Sequence, residues 1–514
     1  MALRDTPSAD PYLFRVDFRF CNRYAVSMFS RSFHRKVDGA TSFPDSVRFA
    51  ACVVFAAILW FIDPPSGLSL TGWRIFAIFT ATILGFILRP LPMAPLVLIA
   101  LSVLVFADTL SGTTYINLKT AFSGFGNSTT WLVVSAILIS GTIIRTRLGS
   151  RLALLCFLFF GRSSTGLGYA ACATELLLAP FIPSNTARGG GILAPVIRSI
   201  NASMSERQST PNSTTSRYLI TTAAHANLIT SAMFLTAMAA NPIVGQLAGE
   251  IYGINFSWTR WCLGGLVPGL VGLILLPPFL GLFFRDRECN IQSARGLARH
   301  GLEQLGPMQR NEVLLVAIFI IMILLWATSP WHGLPTTLVC ISGVAVILLF
   351  RVDRWVDMAG QGEAWDTLVW LGGLLTLATA LKEHGVVQYF ADFARSQITD
   401  LHPLVAGVLL ALIYFYSMYG FSMLTGHIIA LAGAFLLVAQ QAGTPGLLII
   451  PLIAYLSSLC GCLTNYSTGP VIIYFNQGQI SPATWFRVGF CVSLFHLVIW
   501  VGLGPAYWKL LGWW

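Results

Sequence analysis

Charge is scarce in this chain. Lysine and arginine number 31, and aspartate and glutamate 21, so only 10% of its 514 positions are charged. A soluble protein of this length needs far more charge to cover its surface. The shortage of acids also removes whole classes of function. There is no acidic metal-binding cluster, no His-Glu-x-x-His helix and no nucleophile with its base, which argues against an intramembrane enzyme such as a transferase. No GxxxxGK[ST] loop is present to cradle a nucleotide phosphate, so ATP-driven pumping has no support. The ten cysteines are scattered, mostly in apolar runs. Cys460 and Cys462 make neither a metal-ligand framework nor a disulfide pattern, and the thiols read as buried and free. Residues 1–48 lack the apolar core and small-residue cleavage site of a secretory signal. Their five aspartates argue against an organellar transit peptide, and a cytoplasmic tail over 1–46 is the expectation. No motif supports nucleic-acid binding.

What the chain has in abundance is hydrophobic length. Hydrophobic residues make up 55% of it, and apolar runs of roughly 16 to 24 residues recur throughout, the length that crosses a hydrocarbon core. The 46 glycines and 25 prolines fall inside those runs, as membrane helices tolerate. Candidate spans are 47–62, 71–89, 92–107, 130–145, 218–247, 261–284, 312–327, 334–350, 366–381, 446–475 and 484–508. Two further stretches, 167–200 and 403–440, are interrupted by polar residues near their middles and read as re-entrant hairpins. With the tail inside, Arg89, Arg145, Arg147, Arg151, Arg198, Arg207, Arg217, the arginine-rich 285–311 loop, Arg351 and Arg354 also fall inside. That asymmetry holds only if 167–200 does not cross.

The chain also resembles itself. Residues 131–153 and 367–390 align on Gly149 and Gly385, and each is followed by an interrupted hairpin and then a long helix broken by polar residues. The first segment begins outside and the second inside, so the halves are inverted. The expected fold is an all-α integral membrane protein, an inverted-repeat secondary transporter with about eleven spans. Residues 47–284 carry scaffold helices and the first repeat, and 312–514 the second. A channel is disfavoured, because repeats with closed hairpin tips suit alternating access.

The strongest local signal is the segment from Pro180 to Val196. Pro183 stops a helix, Ser184, Asn185 and Thr186 cluster at the break, and the run Gly189–Gly191 opens a second helix. Helix N-termini expose unpaired N–H groups and suit a carboxylate, while freed carbonyls near Ser184 and Asn185 could hold sodium. The plainer reading is that Ser-Asn-Thr caps the following helix. The matching second tip offers Ser422, Thr425 and His427. Two broken helices complete the candidate site with Thr236 and Asn241, and with Asn465, Thr468 and Gly469. Arg188 could offset part of a dianion's charge or pair with an acid. Glu175 is expected to form a structural ion pair, His225 to be packed, and Asn127–Thr129 to cap a helix.

These segments resemble the divalent anion:sodium symporter family, in its branch of citrate/succinate and tartrate/succinate antiporters and plastid 2-oxoglutarate/malate translocators. The likeness covers nearly all the chain beyond residue 50 and rests on GFGNSTTWLV (124–133), PSNTARGGG (183–191), SAMFLTAMAANP (231–242), FSMLTGH (421–427) and CLTNYSTGPVIIY (462–474). It implies a homodimer in which a mobile domain carries the bound anion like an elevator. It also implies that Ser-Asn-Thr signatures at both hairpin tips and the two helix breaks meet the substrate. Ser184, Asn185 and Thr186 match the first signature, whereas Met423, Leu424 and Thr425 keep only the threonine of the second. That departure weakens the case for sodium coupling, and no other cofactor is expected. The expected function is therefore exchange of di- or tricarboxylates (succinate, malate, 2-oxoglutarate, tartrate or citrate) across a bilayer. The bacterial inner membrane is the expected location, with an organellar inner membrane the other choice. Sodium- or proton-coupled symport of a dicarboxylate or sulfate is the alternative.

Overall fold

The computed structural model describes residues 44–112, 115–205, 214–284, 291–397 and 401–514, and no strand occurs among them. The expected tail 1–46 lies almost wholly outside the described residues, as do Arg207 and residues 285–290 of the expected loop. Among the described residues, ten helices are long and apolar enough to cross a membrane. Asp45–Phe61, at 17 residues, is slightly shorter than these. Every span expected from sequence has a helical counterpart, and two are broken as their polar residues imply. The first break separates Thr214–Met233 from Asn241–Tyr252, and the second separates Gly446–Leu459 from Gly469–Phe475.

Burial shows which helices are central. Gly446–Leu459 and Thr214–Met233 are buried along almost their whole length. The outer helices expose large apolar side chains instead, among them Phe106, Ile274, Leu324, Leu349 and Val498. In water that surface would be a liability; in lipid it is ordinary, because acyl chains are as apolar as leucine.

The chain runs twice through the same order of elements. Ser128–Arg145, Leu148–Phe160, a hairpin (Ser164–Leu178 and Ala194–Ser205), the first broken helix and Trp258–Gly281 form one series. Gly362–Glu383, Val386–Gln397, a hairpin (Pro403–Tyr416 and Leu424–Gln441), the second broken helix and Pro482–Leu497 form the other. The register differs from the sequence alignment by two residues. The left-handed hinge before the second helix of each series is Arg147 (φ 64°) and Gly385 (φ 74°), not Gly149 and Gly385. Gly149 lies inside its helix, where a Cβ would come within 2.5 Å of Ile192 Cδ1, so it is a packing glycine.

Part of the 285–311 loop is helical, Ile291–Leu305, and packs on Leu148–Phe160. Arg151 ties the end of this loop down, donating to Glu312 at 2.8 and 3.1 Å and to the Gly306 carbonyl at 2.9 Å.

Candidate functional site

The first hairpin turns over residues 179–193, where Pro183 prevents the arm from continuing and Ala187–Leu193 winds as a π-turn. The glycine run there permits close packing. At Gly190 a Cβ would lie 2.3 Å from Ile473 Cδ1, on the helix that follows the second break. Tyr474 from that same helix donates to the Gly189 carbonyl at 3.0 Å. Across the join, Gly469 meets Thr186 so closely that a Cβ would sit 2.2 Å from the threonine Oγ1. The first tip and the second break therefore touch.

Behind the tip lies a fully buried ion pair. Arg188 Nε donates to Glu175 Oε2 at 2.6 Å, and neither side chain has any exposure. The other guanidinium nitrogens donate to the carbonyls of Ile182 (2.7 Å) and Ala237 (3.0 Å) and to Ser231 Oγ (2.8 Å). Asn227 donates to both Glu175 oxygens, at 3.1 and 3.0 Å, and to the Asn185 carbonyl at 3.1 Å. The ion pair expected for Glu175 is thus present, and its partner is Arg188. Of the two readings of Arg188, pairing with an acid is the contact present, and its charge is met by a carboxylate and two carbonyls.

The second tip is built differently. The Leu424 N–H donates to the Ser467 carbonyl at 2.9 Å, stitching the tip to the second break. Arg89, at the end of Leu70–Leu88, donates through Nη2 to the Ser422 carbonyl at 2.5 Å. The Ser422 hydroxyl turns toward the Ile87 carbonyl, 3.4 Å away. His427 is buried inside the hairpin, with Nε2 2.8 Å from Ser417 Oγ and 3.1 Å from the Tyr414 carbonyl, and its ring packs on Tyr414 and Phe421. It acts as a strut between the arms through Nε2, while its Nδ1 has no hydrogen-bond partner among the described residues.

Hydrogen-bonding capacity sorts the expected site residues. Thr236 is spent: it donates to the Pro180 carbonyl at 2.7 Å and accepts from Trp258 Nε1 at 3.1 Å. Asn241 is buried and donates to the carbonyls of Ser231 (2.8 Å) and Phe234 (3.0 Å), groups that the first break leaves without helical partners. Both therefore hold the break in shape and do not offer donors outward, against expectation. Ser184 and Thr468 cap helical turns, accepting from Ala187 N (3.1 Å) and Val471 N (3.3 Å). Capping uses the oxygen as acceptor and leaves the Thr468 hydroxyl proton free to donate, whereas that of Ser184 is turned to the Glu363 carboxylate. The half-buried side chains of Asn185, Thr186, Thr425 and Asn465 bond to no other described side chain or backbone, apart from a 3.5 Å contact between Asn185 and Thr186. His225 is packed beside Trp485, and Asn127 caps its helix by accepting from Thr129 N, both as expected.

Three contributors were missed. Asn227 lies two residues after His225 and sits one helical turn before Ser231, so a polar stripe facing Glu175 was there to be read. Arg89 was counted only toward orientation. Glu363, at the start of Gly362–Glu383, is exposed and places its carboxylate beside the Ser184 hydroxyl. Nothing local in the sequence signals that approach, since the two residues belong to different repeats.

Hairpins meeting broken helices inside an apolar bundle, with uncharged donors left over, define a membrane transporter and not an enzyme. The family model described as the sodium:sulfate symporter transmembrane region matches residues 45–514, and the chain belongs to that family, the divalent anion:sodium symporters. Among its relatives is YflS of Bacillus subtilis, provisionally named a malate transporter, 39% identical over 90% of this chain and 96% of that protein. Chloroplastic dicarboxylate transporter 1 of Arabidopsis thaliana is 35% identical over 90% of this chain and 83% of its own length. The inner membrane protein YbhI of Escherichia coli is 31% identical over 89% and 96% respectively.

Proposed function

We propose that the protein exchanges small di- or tricarboxylate anions across a bilayer, binding them between the first hairpin tip and the second helix break. The observation that carries this reading is the set of spare donors at one junction. Thr186 lies against Gly469 with Asn185 next to it in the chain, Thr468 keeps a free hydroxyl proton, and Asn465 and Thr425 stand on the segments stitched there. A hydrogen bond to a charged acceptor contributes about 1.5–3 kcal/mol, so four or five such donors can replace much of a carboxylate's hydration. The names of the relatives agree with a dicarboxylate cargo such as malate.

Exchange without a cation is favoured over sodium coupling by the chemistry of the tips. At the second tip the Ser422 carbonyl already receives a guanidinium, whose positive charge opposes a cation there. At the first tip the carbonyls of Ser184 and Asn185 receive Arg188 N and Asn227 Nδ2. Oxygen ligands for sodium are therefore largely committed. Residues 47–284 are read as scaffold helices with the first inverted repeat and 312–514 as the second, with the N-terminus cytoplasmic in a bacterial inner membrane. The working unit is a homodimer whose hairpins move as an elevator against fixed outer helices.

The test uses the purified full chain in liposomes. Labelled malate uptake should require unlabelled internal dicarboxylate and be indifferent to sodium. Sodium-dependent uptake into empty vesicles would establish symport instead.

A further inference from the structure

The second tip lacks the polar pair of the first, yet a cation stands beside it. Arg89 follows Leu70–Leu88 at φ 53°, a left-handed position where glycine is the usual helix terminator. The backbone thus turns sharply at a residue whose side chain must reach across to another element. One guanidinium nitrogen meets the Ser422 carbonyl at 2.5 Å, and among the described residues no carboxylate pairs with it. The contrast with Arg188, fully neutralised by Glu175, is direct. An unneutralised guanidinium at the edge of an apolar bundle is costly to keep and draws an anion to it.

Its position is linked to the donor junction step by step. Arg89 holds Ser422; two residues on, Leu424 bonds to Ser467; Thr468 and Gly469 follow, and Gly469 touches Thr186. We infer that Arg89 is a specificity-determining residue, supplying the fixed positive charge for one carboxylate of a bound dianion while the first tip's donors take the other. The Ser422 carbonyl holds the guanidinium in place when no anion is present. Because Arg89 belongs to Leu70–Leu88 and not to the hairpin, the charge meets the anion only in the state where that helix lies against the second tip. This inference rests on the proposed transport of dicarboxylates.

The experiment compares wild type, Arg89→Gln and Arg89→Lys as full chains in liposomes, with labelled malate as substrate and monomethyl malate as a singly charged competitor. In Arg89→Gln the KM for malate should rise roughly tenfold to a hundredfold, as loss of a charge-assisted contact implies. The maximal rate should change less, and inhibition by the monoester should stay within about twofold, because the lost interaction is with the second charge. Arg89→Lys should recover part of the malate affinity, since it keeps the charge and loses the planar fork. If both ligands weaken alike, with a lower melting temperature, Arg89 is only a brace for the tip and the inference fails. An unchanged malate KM in Arg89→Gln overturns it as well. A wild-type protein that neither binds nor exchanges malate sinks the proposed function first, and this inference with it.

Discussion

The two hairpin tips occupy equivalent places in the repeated series of elements, yet they handle polarity in opposite ways. The first carries its donors in its own sequence, Ser184, Asn185 and Thr186, and stands on the buried Arg188–Glu175 pair. The second presents Met423 and Leu424 and relies on its backbone, through the Leu424–Ser467 bond, and on Arg89 from outside. One tip is self-sufficient and the other borrows. A repeat thus conserves geometry more strictly than chemistry, since the backbone junctions recur while the side chains that serve them do not.

Removing the internal support of the first tip should do the most damage. Arg188→Gln leaves Glu175 buried without its counter-ion, at a cost of about 3–5 kcal/mol. The expected result is loss of monodisperse protein and a sharp fall in melting temperature. Restoring neutrality with Arg188→Met and Glu175→Leu together should recover part of the stability. A single variant as stable as wild type would mean the first tip does not depend on this pair.

Next in size is the loss of one donor. Asn185→Ala should weaken malate binding by roughly tenfold to a hundredfold, the range for a hydrogen bond to a charged group, with melting unchanged. Thr468→Ala should combine that loss with a cap penalty of about 1 kcal/mol, visible in the melt. Normal uptake by both would place the anion elsewhere. Converting Met423→Ser tests the second tip in the reverse direction. If that tip works through backbone and Arg89, an added hydroxyl should change malate KM by less than about threefold; a large gain would mean the side chain at 423 faces the anion. The smallest effect belongs to Glu363→Gln. Its carboxylate lies near Ser184 and repels an incoming anion, so neutralising it should tighten malate binding by about twofold to fivefold at low salt. The gain should fade as ionic strength rises, and an affinity loss would mean Glu363 supports the tip instead.

The architecture was largely legible because its signals are local and periodic. Apolar length set the spans, Pro183 marked where a helix stops, and the glycine run marked where the next one opens. The site was legible only as an inventory of polar residues. Sequence cannot show how much of each residue's bonding capacity is already used. Thr236, Asn241, Arg188 and His427 carry the right chemistry, but breaking a helix frees carbonyls, and these side chains satisfy the backbone or one another. Arg89 was hidden for the opposite reason. A basic residue at a helix end reads as an orientation signal, and only the fold carries it to a hairpin 333 positions away.

The Arg188–Glu175 pair also bears on how the chain enters the membrane. The two residues are 13 apart and belong to the same hairpin. Each alone would resist partition from the insertion machinery into lipid, by about 2.5–3.5 kcal/mol for a charge at mid-depth on insertion scales. Neutralisation needs no later segment, because the hairpin brings both charges together as it closes. The first hairpin can therefore be committed as one unit during synthesis, before the distant helices that complete the molecule have left the ribosome.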